Sequence, residues 1–390
     1  MPAAQPPAHP PARHTPLYEI HRELGATLVE FAGYMMPLRY GSETAEHQAV
    51  RTAAGLFDLS HMGEIFVTGP RAAAALDYAL IGHISALRVG RARYTMICDA
   101  AGGVLDDLIV YRLAPETFMV VANAANAATV LAALTERGAR FGGESTEPTE
   151  GSKGSREADA VITDRSNSYA LIAVQGPNAQ RILAKHSGDP LADLKYYAIM
   201  AGQVAGIDVL IARTGYTGED GFELFASAGD APRLWRELAA SPEPPTPAGL
   251  SARDTLRLEA GMPLYGNELT AETTPYDAGL GRAVKLDKPG DFVGRTALAA
   301  RGDTPGGRTL VGLVARGRRV PRHGYDVVTA AEKGGTPCGV VTSGAPSPTL
   351  GKPIAMAYLN SDTEPVDLAV DIRGKREPVD VVPLPFYRRS

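Results

Sequence analysis

Hydrophobic residues recur along this chain with two periods, and the switches between them mark its elements. Around Arg213-Thr-Gly-Tyr-Thr-Gly-Glu-Asp-Gly-Phe-Glu223 the period is two. Residues 209–213 and 222–225 read as strands, and Gly215, Gly218 and Gly221 lie between them. This predicts a β-hairpin with a glycine-rich connection. Residues 93–98, 104–113 and 117–123 predict a meander, with a turn over 99–103. Residues 169–174 read as a buried strand, and 57–67 as a loop entering a strand. Helical spacing begins at Thr15-Pro16, where a hydroxyl cap precedes proline, and the stripe Leu17, Ile20, Leu24 ends at Gly25. Further helices are predicted from Ser42 to Gly55, over 70–80, over 123–137 before Gly138, from Gly176-Pro177 to about 185, over 230–240 around Trp235, and over 250–260 with Ser251 as cap. Residues 142–157 contain no apolar residue and read as an exposed loop. Residues 241–247 hold four prolines and read as a linker. After Gly290 short strands at 309–314, 325–328 and 354–358 are separated by glycine and proline, which predicts a β-rich C-terminal domain.

Chemistry enters first through the strand 104–113. One of its faces reads Val104, Asp106, Leu108, Val110; the other reads Leu105, Asp107, Ile109, Tyr111. Whichever face turns inward takes an aspartate with it. A carboxylate in apolar surroundings is costly to ionise without partners, so this acid is either a site residue or a hydrogen-bonded structural one. A turn near residue 100 sets Tyr94 opposite Asp106 or Asp107. Glu223, just after the glycine-rich loop, offers two acceptor oxygens to a flat heterocycle with paired N–H donors, or is a solvated acid of a tight hairpin. Arg253 and Arg257 share a helix face, available to an anion or to pairing with Asp254 or Glu259. His61 is a candidate base or a structural histidine. Arg316, Arg318, Arg319 and Arg322 form a basic patch, solvated or facing an acidic partner.

Composition narrows the class. The 390 residues allow about two to three domains. A net charge of -5 gives no reason to expect nucleic acid, and no apolar run approaches a membrane span. Cys98 and Cys338 are the two cysteines, without metal spacing, which fits a reducing, cytoplasmic location. Residues 1–14, rich in proline and alanine, read as a disordered lead that is neither a secretory signal nor a transit peptide.

Five segments in order resemble the aminomethyltransferase (T-protein) family of the glycine cleavage system. They are Phe57-Asp-Leu-Ser-His-Met-Gly-Glu64, Gly102-Gly-Val-Leu-Asp-Asp-Leu-Ile-Val110, the hairpin 213–223, Ala252-Arg-Asp-Thr-Leu-Arg-Leu-Glu-Ala-Gly261 and Thr342-Ser-Gly-Ala-Pro-Ser-Pro-Thr-Leu-Gly351. The resemblance implies an α+β, three-lobed folate-binding fold with a C-terminal β-barrel. The expected division is a catalytic region over 15–285, made of two interleaved α+β lobes, and a barrel over 290–390. It implies transfer of the methylene of an aminomethyl group, carried on the lipoyl arm of H-protein, to tetrahydrofolate, with release of ammonia and formation of 5,10-methylenetetrahydrofolate. Carried over residue by residue, it assigns the reaction-centre acid to Asp106, the pterin carboxylate to Glu223, a pterin-contacting tyrosine to Tyr216 and a binding arginine to Arg253. Tyr387 stands for a C-terminal tyrosine, and Tyr94, Met62 and Asn123 are expected to line the site. No metal is expected.

The chemistry fits these residues. The amine N5 of the folate attacks a carbon on which positive charge develops, and a fixed carboxylate stabilises that charge and orients the amine. In Thr274-Pro-Tyr-Asp-Ala-Gly-Leu-Gly-Arg282 the family has glutamate and tryptophan where this chain has Asp277 and Arg282, which bears on local packing or partner contact. Two other readings remain: a demethylase feeding tetrahydrofolate from another donor, and a folate-binding factor of iron–sulfur assembly. The second needs a functional cysteine motif that neither Cys98 nor Cys338 occupies.

Overall fold

The structure, a computed structural model, describes residues 11–141, 159–302, 306–329 and 335–389. The expected exposed loop at 142–157 lies outside them, as does most of the expected disordered lead. Two sheets and a barrel make the frame. The six-stranded sheet runs in the order Ile199–Val204, Ile207–Ala212, Gly221–Ser227, Tyr169–Gln175, Gly55–Asp58, Thr246–Pro247. The five-stranded sheet runs Arg91–Cys98, Val104–Ala114, Thr117–Ala122, Gly63–Thr68, Val161–Asp164. Six strands close a barrel between Arg308–Ala315 and Lys375–Val382. The α+β class with a C-terminal barrel is therefore as expected.

Each sheet buries one face under helices. Behind the first, Trp235, Leu234 and Leu238 of the helix Ala231–Ala239 pack on Ile172, Phe222 and Leu224. Behind the second, Leu76 of Ala72–Ala79 and Val130 and Leu134 of Ala127–Gly138 pack on Leu108, Val110 and Val120. The other two faces turn toward each other, and Phe57, Tyr111, Leu171, Phe225 and Leu256 join them in a third cluster. Sheets whose inner faces meet in this way make a cleft where the side chains do not fill the gap.

Four local expectations change. The stretch 57–67 is not a loop entering one strand: Phe57 and Asp58 pair with Ile172 and Ala173, while Gly63–Thr68 joins the other sheet. Residues 241–247 are not a free linker, because Thr246–Pro247 pairs in parallel with Gly55–Leu56. The cap of the helix Leu250–Glu259 is Gly249 rather than Ser251. A Cβ at Gly249 would stand 2.3 Å from the Leu38 carbonyl oxygen, so only glycine lets the chain enter the helix there. Finally, the expected disordered lead ends in structure: Arg13–His14 pairs with Tyr34 and Met35, and the Arg13 guanidinium lies 4.1 Å from the Tyr34 ring centre.

Of the buried carboxylates that join the barrel to the sheets, Glu259 and Glu268, Glu259 gathers the wider set of partners. Glu259 is fully buried at the end of the helix Leu250–Glu259. Its Oε2 accepts from the Arg51 guanidinium at 2.9 and 3.1 Å and from the Thr349 hydroxyl at 2.8 Å, and lies 3.2 Å from His47 Nε2. Its Oε1 accepts from Ser347 and from the Thr349 amide. Burial by itself would raise its pKa, but the hydrogen bonds from His47, Ser347 and Thr349 and the charge on His47 outweigh it and hold Glu259 down at about 2. A carboxyl with a folded pKa below its ordinary 4.5 stabilises the fold above that ordinary value, and this contribution disappears as pH falls from about 4.5 toward 2. Glu259→Gln removes the charge that faces Arg51 and His47 and sets an amide NH2 against their donors, and is expected to cost about 3–5 kcal/mol at neutral pH. Its denaturation midpoint should also depend less on pH than the parent's between about pH 5 and 3. Equilibrium denaturation across that range checks both; parallel pH curves would show that Glu259 is not the group that titrates.

Candidate active site

Between the two inner faces lies a cavity of about 310 Å³. Six of the residues expected at the site line it: Met62, Tyr94, Asn123, Tyr216, Glu223 and Arg253. They come from both sheets, the hairpin and the helix Leu250–Glu259, so the fold gathers residues up to 191 positions apart in the sequence.

The hairpin supplies Glu223. Its strand pairs Ala212 with Glu223, and the carboxyl points into the cavity with 8% of its surface exposed. The hydroxyls of Thr214 and Tyr111 donate to Glu223 Oε2, the latter at 3.4 Å. Neither bond uses Oε1. Burial raises the Glu223 pKa, against the pull of Thr214, Arg253 and Tyr111. The three glycines are close-packed, and Gly215 also lines the cavity. A Cβ at Gly215 would stand 2.0 Å from Gln175 Oε1, and one at Gly221 would stand 2.5 Å from the Gln175 amide carbon. Gly218 takes φ +82 and would press on the Ala260 methyl at 2.9 Å. The loop thus wraps the Gln175 side chain, whose amide donates to the Thr214 carbonyl and accepts from Thr217 at 3.0 Å each.

Arg253 and Arg257 divide their work. Arg257 is buried and paired with Asp254 at 2.7 Å and Glu268 at 3.0 Å. Arg253 makes no ion pair among the described residues; its guanidinium lies 4.8 Å over the Tyr216 ring and faces the cavity. Glu259, the other acid considered as a partner for these arginines, belongs to Arg51 and His47.

The fold settles which aspartate of the strand Val104–Ala114 faces the cavity, and it is Asp107. Asp106 does not line the cavity. The even-numbered face, Leu108 and Val110, packs under the helices, and Asp106 goes with it, fully buried. There it accepts from the Asn123 amide N–H at 3.0 Å, Asn123 Nδ2 at 2.9 Å and Asn126 Nδ2 at 2.7 Å. Asp107 opens on the cavity. Its Oδ2 accepts from the Tyr94 hydroxyl at 3.0 Å and its Oδ1 from Asn123 Nδ2 at 2.8 Å. Burial raises the Asp107 pKa, opposed by the bonds from Tyr94 and Asn123. Tyr94 pairs with Ile109 rather than with either aspartate, and reaches Asp107 by the length of its side chain. The available signal was Tyr111, a polar ring sharing the face of Asp107.

Tyr387 is the second expected residue outside the cavity. It sits in a separate depression with Arg51, Arg213, Glu219 and Arg389. Its backbone N–H donates to the Glu259 carbonyl at 2.8 Å, and the Arg51 guanidinium lies 4.1 Å from its ring centre, so it belongs to the fastening of the barrel. His61 also lies outside. It is buried against Phe31, its Nδ1 has no hydrogen-bond partner among the described residues, and burial together with Arg253 holds its pKa down at about 4. Tyr197 and Tyr265, not expected, line the cavity. Tyr197 takes φ +57, pinned by its N–H to the Arg213 carbonyl and its carbonyl to the Ala92 N–H. A tyrosine in that conformation has no signature in the sequence. The departures Asp277 and Arg282 are accommodated: Asp277 is buried, accepts from Thr274 and Gly306 and pairs with Arg301 at 3.1 Å, while Arg282 is exposed. In the basic patch Arg316 pairs with Asp380 and Arg319 with Glu377.

Comparison with known proteins gives a consistent set of matches. Residues 17–288 match the family model described as GCVT N-terminal domain, and residues 308–388 the one described as Glycine cleavage T-protein C-terminal barrel domain. The chain is 62% identical over 382 residues to an aminomethyltransferase of Saccharopolyspora erythraea, covering 97% of this chain and 99% of that one. It is 60% identical over 386 residues to an aminomethyltransferase of Streptomyces avermitilis, covering 97% and 98%. A solved structure, the glycine cleavage system aminomethyltransferase T from Bartonella henselae, matches with a TM-score of 0.85 at 37% identity, over 96% of this chain and 98% of that one.

The packing of the hairpin on Gln175 is testable by a double-mutant cycle. Gly215→Ala is expected to destabilise by about 1–3 kcal/mol through the clash with Gln175. In a Gln175→Ala background the same change should cost markedly less. Additive costs in equilibrium denaturation would refute the contact as the reason for glycine.

Proposed function

The chain belongs to the aminomethyltransferase (T-protein) family of the glycine cleavage system, and we propose from that premise how its cavity carries out the transfer. The enzyme moves the methylene carbon of an aminomethyl group to tetrahydrofolate. The donor is the lipoyl arm of H-protein, and ammonia and 5,10-methylenetetrahydrofolate are the products.

One observation supports this reading above others. A buried carboxyl, a half-buried arginine without an ion pair among the described residues and a second carboxyl all look into one aromatic-lined cavity. A reduced pterin presents a flat edge of N–H donors, and Glu223, whose Oε1 accepts from neither Thr214 nor Tyr111, receives them. Tyr111 and Thr214 fix the carboxyl's orientation, so little freedom is lost on binding. Tyr216 and Tyr197 give the ring apolar walls. Arg253 offers its uncommitted charge to an anionic or carbonyl group of the folate. Tetrahydrofolate itself supplies the nucleophilic N5.

Asp107 stands at the reaction centre in the place expected of Asp106. Tyr94 and Asn123 hold its two oxygens, so the carboxylate needs no reorganisation when positive charge grows on the migrating carbon. Its role is electrostatic and positional, with proton transfer secondary. The carboxylate form is the active one. Because burial raises its pKa, activity is present above that pKa and falls on the acid side.

The test supplies tetrahydrofolate and aminomethyl-loaded H-protein and measures ammonia and methylene-tetrahydrofolate. Turnover is expected, and its absence with intact folate binding would overturn the assignment. Asp107→Asn should lower kcat by about 10²–10³ with little change in folate affinity. Glu223→Gln should instead weaken folate binding by about 10–100-fold, as loss of a charged acceptor does. Equal effects of both variants on affinity would contradict the division of roles.

A further inference from the structure

Two carboxyls that point to opposite faces of one strand are joined here by a single amide. Asn123 follows the strand Thr117–Ala122, at the point where its ladder with Val104–Ala114 has ended at Ile109–Val121. In that gap Asn123 Nδ2 donates to Asp106 Oδ1 at 2.9 Å and to Asp107 Oδ1 at 2.8 Å. Asp106 is held from behind by Asn126 Nδ2 at 2.7 Å, and its Oδ2 takes the Asn123 backbone N–H at 3.0 Å. Asn126 is the N-cap of the helix Ala127–Gly138, yet its side chain makes no cap bond. It is committed to Asp106 instead of to its own helix, against the usual use of asparagine there.

We propose that Asn126 and Asp106 are positioning residues for Asp107: Asn126 fixes Asp106, Asp106 aims the Asn123 amide at Asp107, and the aimed amide helps hold Asp107 as the carboxylate. This rests on Asp107 being the acid of the proposed transfer. Like charges sharing one donor oppose each other's ionisation. Consistent with the geometry, burial and the neighbouring Asp107 raise Asp106 to about 7, against the bonds from Asn126 and Asn123. The other groups near the pair are Tyr94 from the strand Arg91–Cys98, Tyr197 and Tyr216, and Tyr265 and Glu268 beyond the helix Leu250–Glu259. The tyrosines are kept neutral by burial, which leaves Glu268 as the acid that opposes Asp107, while the bonds from Tyr94 and Asn123 ease its ionisation.

The sign follows. The bond from Asn123 eases ionisation of Asp107, so Asp107 releases its proton at higher pH when that bond is lost. Loosening the relay therefore moves the acid limb of the rate profile to higher pH. Steady-state kinetics with tetrahydrofolate and aminomethyl-loaded H-protein, from about pH 5.5 to 9, read this directly. Asp106→Asn, which sets an amide against the Asn123 and Asn126 donors, is expected to shift the acid limb of kcat/KM up by about half a pH unit. Asn126→Ala should lower kcat about tenfold while folate KM stays within about twofold. The swap Asp106→Asn with Asn126→Asp rebuilds the hydrogen bond with donor and acceptor exchanged, and should return kcat to within about threefold of the parent. Overlapping pH profiles, or losses that follow the fall in Tm and are not rescued by the swap, would overturn the relay and leave these residues a structural role. An inactive Asp107→Asn with an unshifted Asp106→Asn profile overturns the relay alone. A fully active Asp107→Asn overturns the acid assignment and the relay with it.

Discussion

The arrangement depends on one buried carboxylate, that of Glu259. Charge without water is tolerated only where every lone pair has a partner. Glu259 finds its partners on two separate pieces of the chain: His47 and Arg51 on the helix Glu43–Thr52, and Ser347 and Thr349 at and just after the end of the barrel strand Pro337–Ser347. Arg51 in turn reaches Glu219 at 2.9 Å and the Thr217 carbonyl at 2.7 Å in the hairpin loop. Satisfying one acid therefore fixes how helix, hairpin and barrel meet. The same helix that ends in Glu259 presents Arg253 to the cavity. Six residues at 1.5 Å each put the two groups about 9 Å apart along its axis, so the fastening of the barrel also sets where the binding arginine stands.

The cavity follows a similar rule with a different outcome. Glu223 is a buried acid and Asp107 a half-buried one, but their protein partners leave lone pairs turned to open space. A fully satisfied carboxylate is a structural element; a partly satisfied one beside a cavity is a binding or reacting group. Asp106 and Asp107 make the contrast plain because they are neighbours. Asp106 has three donors and no opening. Asp107 has two donors and faces the cavity.

Much of this could be read from the residues in order. Alternation at period two gave the meander and the hairpin, and the stops at Gly25 and Gly138 bounded their helices within a few residues. Glu223 and Arg253 were legible as candidates because a carboxylate after a glycine loop and an arginine pair on a helix are local patterns. Tyr197 was not, since its conformation is imposed by hydrogen bonds to Arg213 and Ala92, far from it in sequence. Nor was the pairing of Thr246–Pro247 with Gly55–Leu56, which depends on contacts nearly two hundred positions away and contradicts the local reading of a proline-rich linker.

The sequence by itself determined the elements, the class of fold and the family, because periodicity, caps and ordered motifs are properties of neighbouring residues. It also determined that one aspartate of the strand Val104–Ala114 would face inward. It could not say which, because exchanging the two faces of a strand leaves a period-two pattern unchanged when each face carries an acid. Tertiary structure decided that point by packing Leu108 and Val110 under the helices and leaving Asp107 with Tyr111 on the open side. It likewise moved Tyr387 from the ligand to the barrel's fastening, since the path of the final residues over Arg51 and Glu259 is set by contacts no local pattern encodes.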